Sequence, residues 1–221
     1  MPFRRFALLL AFLMASIAPL LAQRVAVEHG GIVYFAADGT KRQLTPGPHD
    51  SDPVLSPDGA NVAFVREIPG RTVAAGSGEV PARELHLVAL PAKSIRRLVE
   101  PRNDSKPERL LAGLQNPQFS PDGQWIYFES AAWATSGAIH AYDLRANRER
   151  FVLAGHSLSV VPKGEYRGCL VVMQHRYFLG GGSFDWYWLF RPDGGEVGPI
   201  GENDALFREL AGMTPVAKPS R

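Results

Sequence analysis

A single cysteine stands in 221 residues, so no internal disulfide can form and the fold must hold by burial alone. Cys169 lies in the apolar run Gly168-Cys169-Leu170-Val171-Val172, with no neighbouring charge arrangement that would favour a thiolate, and reads as a structural residue. Metal-ligand spacing is also missing. The six histidines, at 29, 49, 86, 140, 156 and 175, form no H-E-x-x-H and no ligand pair. There is no G-x-S-x-G elbow, and Gly76-Ser77-Gly78 and Gly155-His156-Ser157 are loop fragments without an identifiable base. These gaps remove the usual sequence signs of a zinc enzyme or a hydrolase. The expectation is a non-catalytic chain with no cofactor and no metal, with a hydrolase as the remaining alternative. His86 and His140 fall at similar strand positions and are expected on sheet faces. His49, Asp50 and Asp52 have two readings, a Ca²⁺ site or plain turn and capping chemistry.

Long apolar runs are absent except at the start, where Arg4 and Arg5 precede an uncharged stretch from Phe6 to Ala22. Residues 1–22 read as a signal peptide, with cleavage after Ala22 favoured; the alternative is an uncleaved membrane anchor, against which the shortness of the run and Pro19 both count. Removing residues 1–22 takes away two of the 24 basic side chains and none of the 22 acidic ones, leaving 22 of each. A mature chain of zero net charge gives no support to nucleic-acid or anionic-membrane binding. The predicted location is periplasmic or secreted, with no stable membrane insertion after cleavage.

What the chain has is turns, with 22 glycines and 18 prolines. Ser56-Pro57-Asp58-Gly59 returns as Ser120-Pro121-Asp122-Gly123, and Asp52–Phe64 matches Asn116–Phe128 at six of thirteen positions. In each turn proline pre-sets φ, aspartate bonds the local backbone and glycine takes φ > 0. A repeated strand–turn–strand unit predicts an array whose members bury their faces against one another.

Strands are expected around Val25–Val27, Ile32–Phe35, Gln43–Thr45, Asn61–Val65, Glu84–Leu90, Ile95–Val99, Trp125–Phe128, Ala138–Tyr142, Phe151–Leu153, Leu170–Gln174 and Phe184–Phe190. Turns separate them at Gly30-Gly31, Asp38-Gly39, Arg145-Ala146-Asn147, Gly180–Gly182 and Pro192-Asp193-Gly194. Pro69–Ala82 lacks periodicity and is expected to be a long exposed loop. A degenerate third turn falls at Pro162-Lys163-Gly164, and four outer hairpins begin near Tyr34, Leu87, Tyr142 and Trp188. Asn203-Asp204 can cap a short helix bearing Leu206, Phe207 and Leu210, which Gly212 would stop.

Arg42-Gln43-Leu44-Thr45, Asp50-Ser51-Asp52-Pro53, Ser56-Pro57-Asp58-Gly59 and Ala63-Phe64-Val65 together resemble the β-propeller repeat of TolB, a periplasmic protein of the Tol–Pal envelope system. Similar repeats cover the active site of prolyl-oligopeptidase-type peptidases. The resemblance implies an all-β fold, a small TolB-like propeller of about four antiparallel blade units with a short C-terminal helix. Its expected domains are a signal peptide (1–22), a β-propeller-like domain (23–201), and a helix and tail (202–221). TolB-like propellers have six blades and a separate N-terminal domain, for which this chain has no room. It could close as a small ring with Met213–Ala217 as a last strand, stay open as an arc, or close by dimerisation.

The resemblance also implies a protein-interaction module of the cell envelope. Candidate binding residues are Trp133, Phe184, Trp186, Tyr187 and Trp188. Alternation puts Phe184, Trp186, Trp188 and Phe190 on one face of a strand and Asp185, Tyr187 and Leu189 on the other. These aromatics have two readings, sheet core or a stacking surface for a protein or a peptidoglycan fragment. Ser56, Pro57, Asp58, Gly59, Ser120, Pro121, Asp122 and Gly123 are expected to be structural.

Overall fold

A computed structural model describes residues 22–91 and 94–213; the signal-peptide reading of residues 1–21 lies outside them. Among the described residues, fifteen strands form four antiparallel sheets. Sheet 1 holds β1 (Arg24–Glu28), β2 (Gly31–Phe35) and β3 (Lys41–Gln43). Sheet 2 holds β4 (Asp50–Leu55), β5 (Asn61–Ala75), β6 (Gly78–Ala89) and β7 (Ser94–Val99). Sheet 3 holds β8 (Ala112–Phe119), β9 (Trp125–Ala131), β10 (Gly137–Asp143) and β11 (Arg148–Ala154). Sheet 4 holds β12 (His156–Val160), β13 (Leu170–Tyr177), β14 (Ser183–Phe190) and β15 (Glu196–Gly201).

Strands in each sheet run in chain order, and the sheets stack face to face in chain order as an open arc. Ile32 and Tyr34 of sheet 1 meet Val62, Phe64 and Val88 of sheet 2. Val65, Leu85 and Leu87 meet Leu114, Ile126 and Phe128 of sheet 3. Tyr127, Ile139 and Leu153 meet Leu170, Val172 and Trp188 of sheet 4. Because strand side chains alternate, each middle sheet has two apolar faces and each end sheet has one face left over.

The two leftover faces are covered differently. On sheet 1, Arg24 lies 3.7 Å over the Phe35 ring and Lys41 pairs with Glu28 at 2.5 Å, a charged finish that water accepts. On sheet 4, helix α1 (Ala205–Leu210) takes the place a further sheet would fill. Phe207, Ala211 and Met213 pack on Val161, Val171 and Leu189, each buried Val or Leu contributing roughly 1.5–3 kcal/mol. Asn203 Oδ1 caps the Ala205 N–H at 2.8 Å, whereas the carboxylate of Asp204, at the N-cap position, pairs with Arg208 one turn on. Arg208 also donates to Ser159 Oγ of β12 at 2.9 Å. Met213 belongs to this cap rather than to a closing strand, and 214–217 lie outside the described residues.

One expected loop is a hairpin. Pro69–Ala82 is the twisted extension of β5 and β6, with only Gly76 and Ser77 left at its tip. Periodicity is lost there because Pro69, which has no N–H to give a ladder, sits in a bulge between Glu67 and Thr72. The extension earns its order from neighbours distant in sequence, since Val73 and Ala82 are buried on Leu110 and Ala112.

Both Ser-Pro-Asp-Gly turns adopt one geometry. Asp58 Oδ1 accepts from Ser56 Oγ and from Ala60 N at 3.0 Å, while Ser56 Oγ accepts from Asn61 N at 2.9 Å. Asp122 Oδ1 accepts from Ser120 Oγ and from Gln124 N at 3.0 Å, and Ser120 Oγ accepts from Trp125 N at 3.0 Å. Gly59 and Gly123 both have φ of 70°, which favours glycine. A second shared feature lies four residues before each turn's first position. Asp52, Asn116 and Ser157 have φ of 50°, 51° and 56°, bulging the inner strands of three sheets in the same place.

Candidate functional site

The turns gather at one side of the arc, where Leu90 N bonds Ala60 O and Leu144 N bonds Gln124 O. The opposite side carries the hairpin tip, the β9–β10 loop and the starts of the inner strands. There Gly76 N donates to Ala132 O at 2.8 Å. A Cβ on Gly76 would lie 2.6 Å from Ala134 N and Trp133 C, so only glycine lets the two backbones meet. Their contact walls a cleft of ≈ 380 Å³ whose lining includes Arg83, Gln115, Glu129, Trp133, Ser136 and His156.

The polar groups of this cleft come from three sheets. Arg83 of β6 pairs with Glu67 at 3.5 Å. Glu129 of β9 is only 5% exposed. Its Oε1 accepts from Asn116 Nδ2 at 2.7 Å and from Leu158 N at 2.8 Å, and its Oε2 accepts from Gln115 Nε2 at 3.3 Å. Asn116 Nδ2 also donates to Leu158 O at 2.9 Å. The bulged residue of sheet 3 thus stitches that sheet to sheet 4 beside the cleft. Next to it, Ser130 Oγ accepts from Ala112 N at 2.9 Å and donates to backbone carbonyls. His156 Nδ1 meets Ser157 Oγ at 3.1 Å, and among the described residues no hydrogen bond links either to a carboxylate. Chemically, the cleft offers a cation held by a carboxylate, a buried carboxylate held by neutral dipoles, and an indole wall.

Of the five candidate binding residues, Trp133 alone lines this cleft; Ser77 and His156, from the two loop fragments noted in the sequence, line it as well. The aromatic strand β14 lies elsewhere and divides its side chains. Trp188, at 9% exposure, is core between sheets 3 and 4, under the Arg176 guanidinium 3.4 Å from its ring centroid. Tyr187 packs towards α1. Trp188 is therefore no surface anchor, because a sheet flanked on both faces buries both sets of alternating residues. Phe184 and Trp186 are half-buried and join Phe178 in a chain of rings, with centroids 4.5 and 5.0 Å apart. Beyond them Tyr177, Phe178 and Leu179 are exposed. The eight turn residues lie on the far side and hold backbone. Glu129, Arg83 and Gln115 had no sequence signal, because a lone acid or amide in a strand is common.

His86 and His140 are buried on sheet faces, stacked on Phe64 and Phe128 at 5.3 and 5.6 Å. His86 Nε2 meets Glu84 at 2.9 Å, and His140 Nδ1 meets Glu149 at 2.6 Å. Burial pushes the His86 pKa below its ordinary value, against the pull of Glu84. Burial would raise Glu84, but its bonds to His86 and Arg97 outweigh that and hold it low. Glu149 is likewise held low, by His140 and Arg102 against burial. Asp50 is occupied by a two-pronged bond from Arg66 at 2.6 and 2.9 Å. Among the described residues no group of three or more His, Cys, Asp or Glu is placed to hold a metal ion. No described helix is long and apolar enough to cross a membrane.

No family model matches the chain, and no curated protein matches it by sequence. Solved structures do resemble it. TolB from Acinetobacter baumannii superposes with a TM-score of 0.54 at 15% identity, over 81% of this chain and 40% of that one. Dipeptidyl peptidase 4 from Porphyromonas gingivalis superposes with a TM-score of 0.56 at 13% identity, over 82% of this chain and 31% of that one. The chain thus spans well under half the length of either. At these identities the likeness concerns the fold alone, and the chain is a four-sheet open arc with a TolB-like β-propeller fold.

Proposed function

We propose that this chain is an exported, non-catalytic binding protein that engages a protein partner of the cell envelope through the cleft beneath the β5–β6 hairpin. The observation that carries this reading is the docking of Gly76 on the Trp133 loop, which builds a concave, mixed-polarity site on an otherwise regular stack of sheets. The signal-like start supports export to the periplasm or medium, and the fold shared with TolB supports an interaction role by analogy.

The test is a photoactivatable side chain placed at Thr135, in the cleft wall, or at Gln124, on the turn side. Both positions are exposed. In intact cells, a cross-linked protein product from Thr135 and none from Gln124 is expected. Products from Gln124 alone, or from neither position, would overturn the reading.

A second reading, glycan binding at the β13–β14 hairpin, is favoured by the exposed Tyr177 and Phe178 beside Phe184 and Trp186. Aromatic faces of this kind suit sugar rings. Unchanged tryptophan fluorescence across a panel of peptidoglycan fragments would dispose of it.

A further inference from the structure

Glu129 is an acid where its structural task needs only a carbonyl-type acceptor. Two neutral donors, Asn116 Nδ2 and the Leu158 N–H, converge on Oε1 and tie sheets 3 and 4 together. A glutamine carbonyl would accept both. Oε2 receives one long bond at 3.3 Å, from the Gln115 amide. Among the described residues no Lys, Arg or His lies within ion-pair distance of this carboxylate. The carboxylate is 5% exposed and lines an open cleft.

The other charged or titratable groups in the lining are committed elsewhere. Arg83 is paired with Glu67, and His156 is hydrogen-bonded to Ser157. Trp133 borders the cleft, its ring edge-on to Phe151 with centroids 6.4 Å apart, and indole is the side chain whose π face attracts cations best. A volume of ≈ 380 Å³ suits one or two residues of a peptide rather than a folded domain.

We propose that the cleft recognises an organic cation, a primary ammonium or guanidinium presented by a peptide, with Glu129 as its counter-ion and Trp133 as its wall. This rests on the cleft being the binding site. Two sources share the chemistry, a peptide amino terminus and a Lys or Arg side chain.

The experiment titrates the mature chain with four peptides by calorimetry and tryptophan fluorescence. They are Gly-Gly-Gly, acetyl-Gly-Lys-Gly-amide, acetyl-Gly-Arg-Gly-amide and the uncharged acetyl-Gly-Gly-Gly-amide. Binding of Gly-Gly-Gly alone assigns the amino terminus; binding of the Lys or Arg peptide assigns a side chain; the uncharged peptide is expected not to bind. Glu129→Gln keeps the Oε1 acceptor and should weaken binding roughly tenfold or more, and added salt should weaken wild-type binding. Trp133→Ala should weaken it and Trp133→Phe restore part, which keeps the test valid if Glu129→Gln folds poorly. Equal binding of the uncharged peptide, no binding by any cationic peptide, or full binding by folded Glu129→Gln would each overturn the proposal. A Thr135 cross-link that persists in Glu129→Gln sinks this inference and spares the partner reading. Cation binding without a Thr135 cross-link does the reverse.

Discussion

The two sides of the arc are built on opposite rules. On the turn side, Ser56–Asn61 and Ser120–Trp125 repeat the same three side-chain bonds and the same glycine φ. On the hairpin side the sheets share the inner-strand bulge at Asp52, Asn116 and Ser157 but differ beyond it, since β5 and β6 of sheet 2 overshoot their neighbours and lean on sheet 3. Regularity marks where the chain satisfies its own backbone. Departure from it marks where side chains from several sheets converge, and there the buried Glu129 faces a cleft.

If the sides are separable, damage to one should leave the other intact. The largest effect is expected from Val73→Asp, which places an unpaired charge at a buried site between the hairpin and Leu110. Burying it would cost on the order of 3 kcal/mol or more, so the hairpin should detach instead. Hydrogen exchange should accelerate over residues 68–82 and stay slow at Asn61 and Trp125. Acceleration at all of these positions would mean that the arc opens as one unit, with no division between its sides.

Gly76→Ala probes the same contact more gently. The added Cβ meets backbone rather than a movable side chain, so the tip must shift, at roughly 1–3 kcal/mol. Limited proteolysis should cut near Ser77 in the variant before the wild type, and the Thr135 cross-link should fall. An unchanged cross-link would show that the cleft does not depend on the docked tip.

From the turn side, Asp58→Ala and Asp122→Ala each remove a local acceptor and should cost about 1–2 kcal/mol, read as a lower thermal midpoint. Partner binding per folded molecule should not change. Lost binding at unchanged stability would give the turns a functional role and erase the contrast.

Much of the turn side was legible in the sequence, because its order is local: proline, aspartate and glycine act within five residues of Ser56. The strands of β9 and β14 were legible through alternation, and α1 through its Asn203 and Gly212 boundaries. The hairpin was not, because Val73 and Ala82 are ordered by Leu110 and Ala112, some thirty residues away in the chain. Trp133 could be picked out as an isolated loop aromatic. Glu129 could not, since what sets it apart is that it forms no ion pair among the described residues, and that is a property of space rather than of sequence. The third bulge at Ser157 was hidden as well, because its sheet lost Ser-Pro-Asp-Gly and kept only the backbone path.

Acid should separate interior from turns by the order in which stability is lost. His86 has its folded pKa pushed below the ordinary 6.5 by burial, so the unfolded chain takes up that proton first. Its contribution is full above about pH 6.5 and is lost as pH falls from there through the lower folded value. Asp58 and Asp122 are held below 3.8 by their serine hydroxyls and local N–H groups. Their contribution is full above about pH 3.8 and is lost only below it. The thermal midpoint should therefore decline in two stages, and His86→Gln should flatten the first stage while Asp58→Asn flattens the second. If Asp58→Asn altered the slope near pH 6, the turn would be coupled to the sheet interior. The turn side would then not be the self-contained module that its geometry describes.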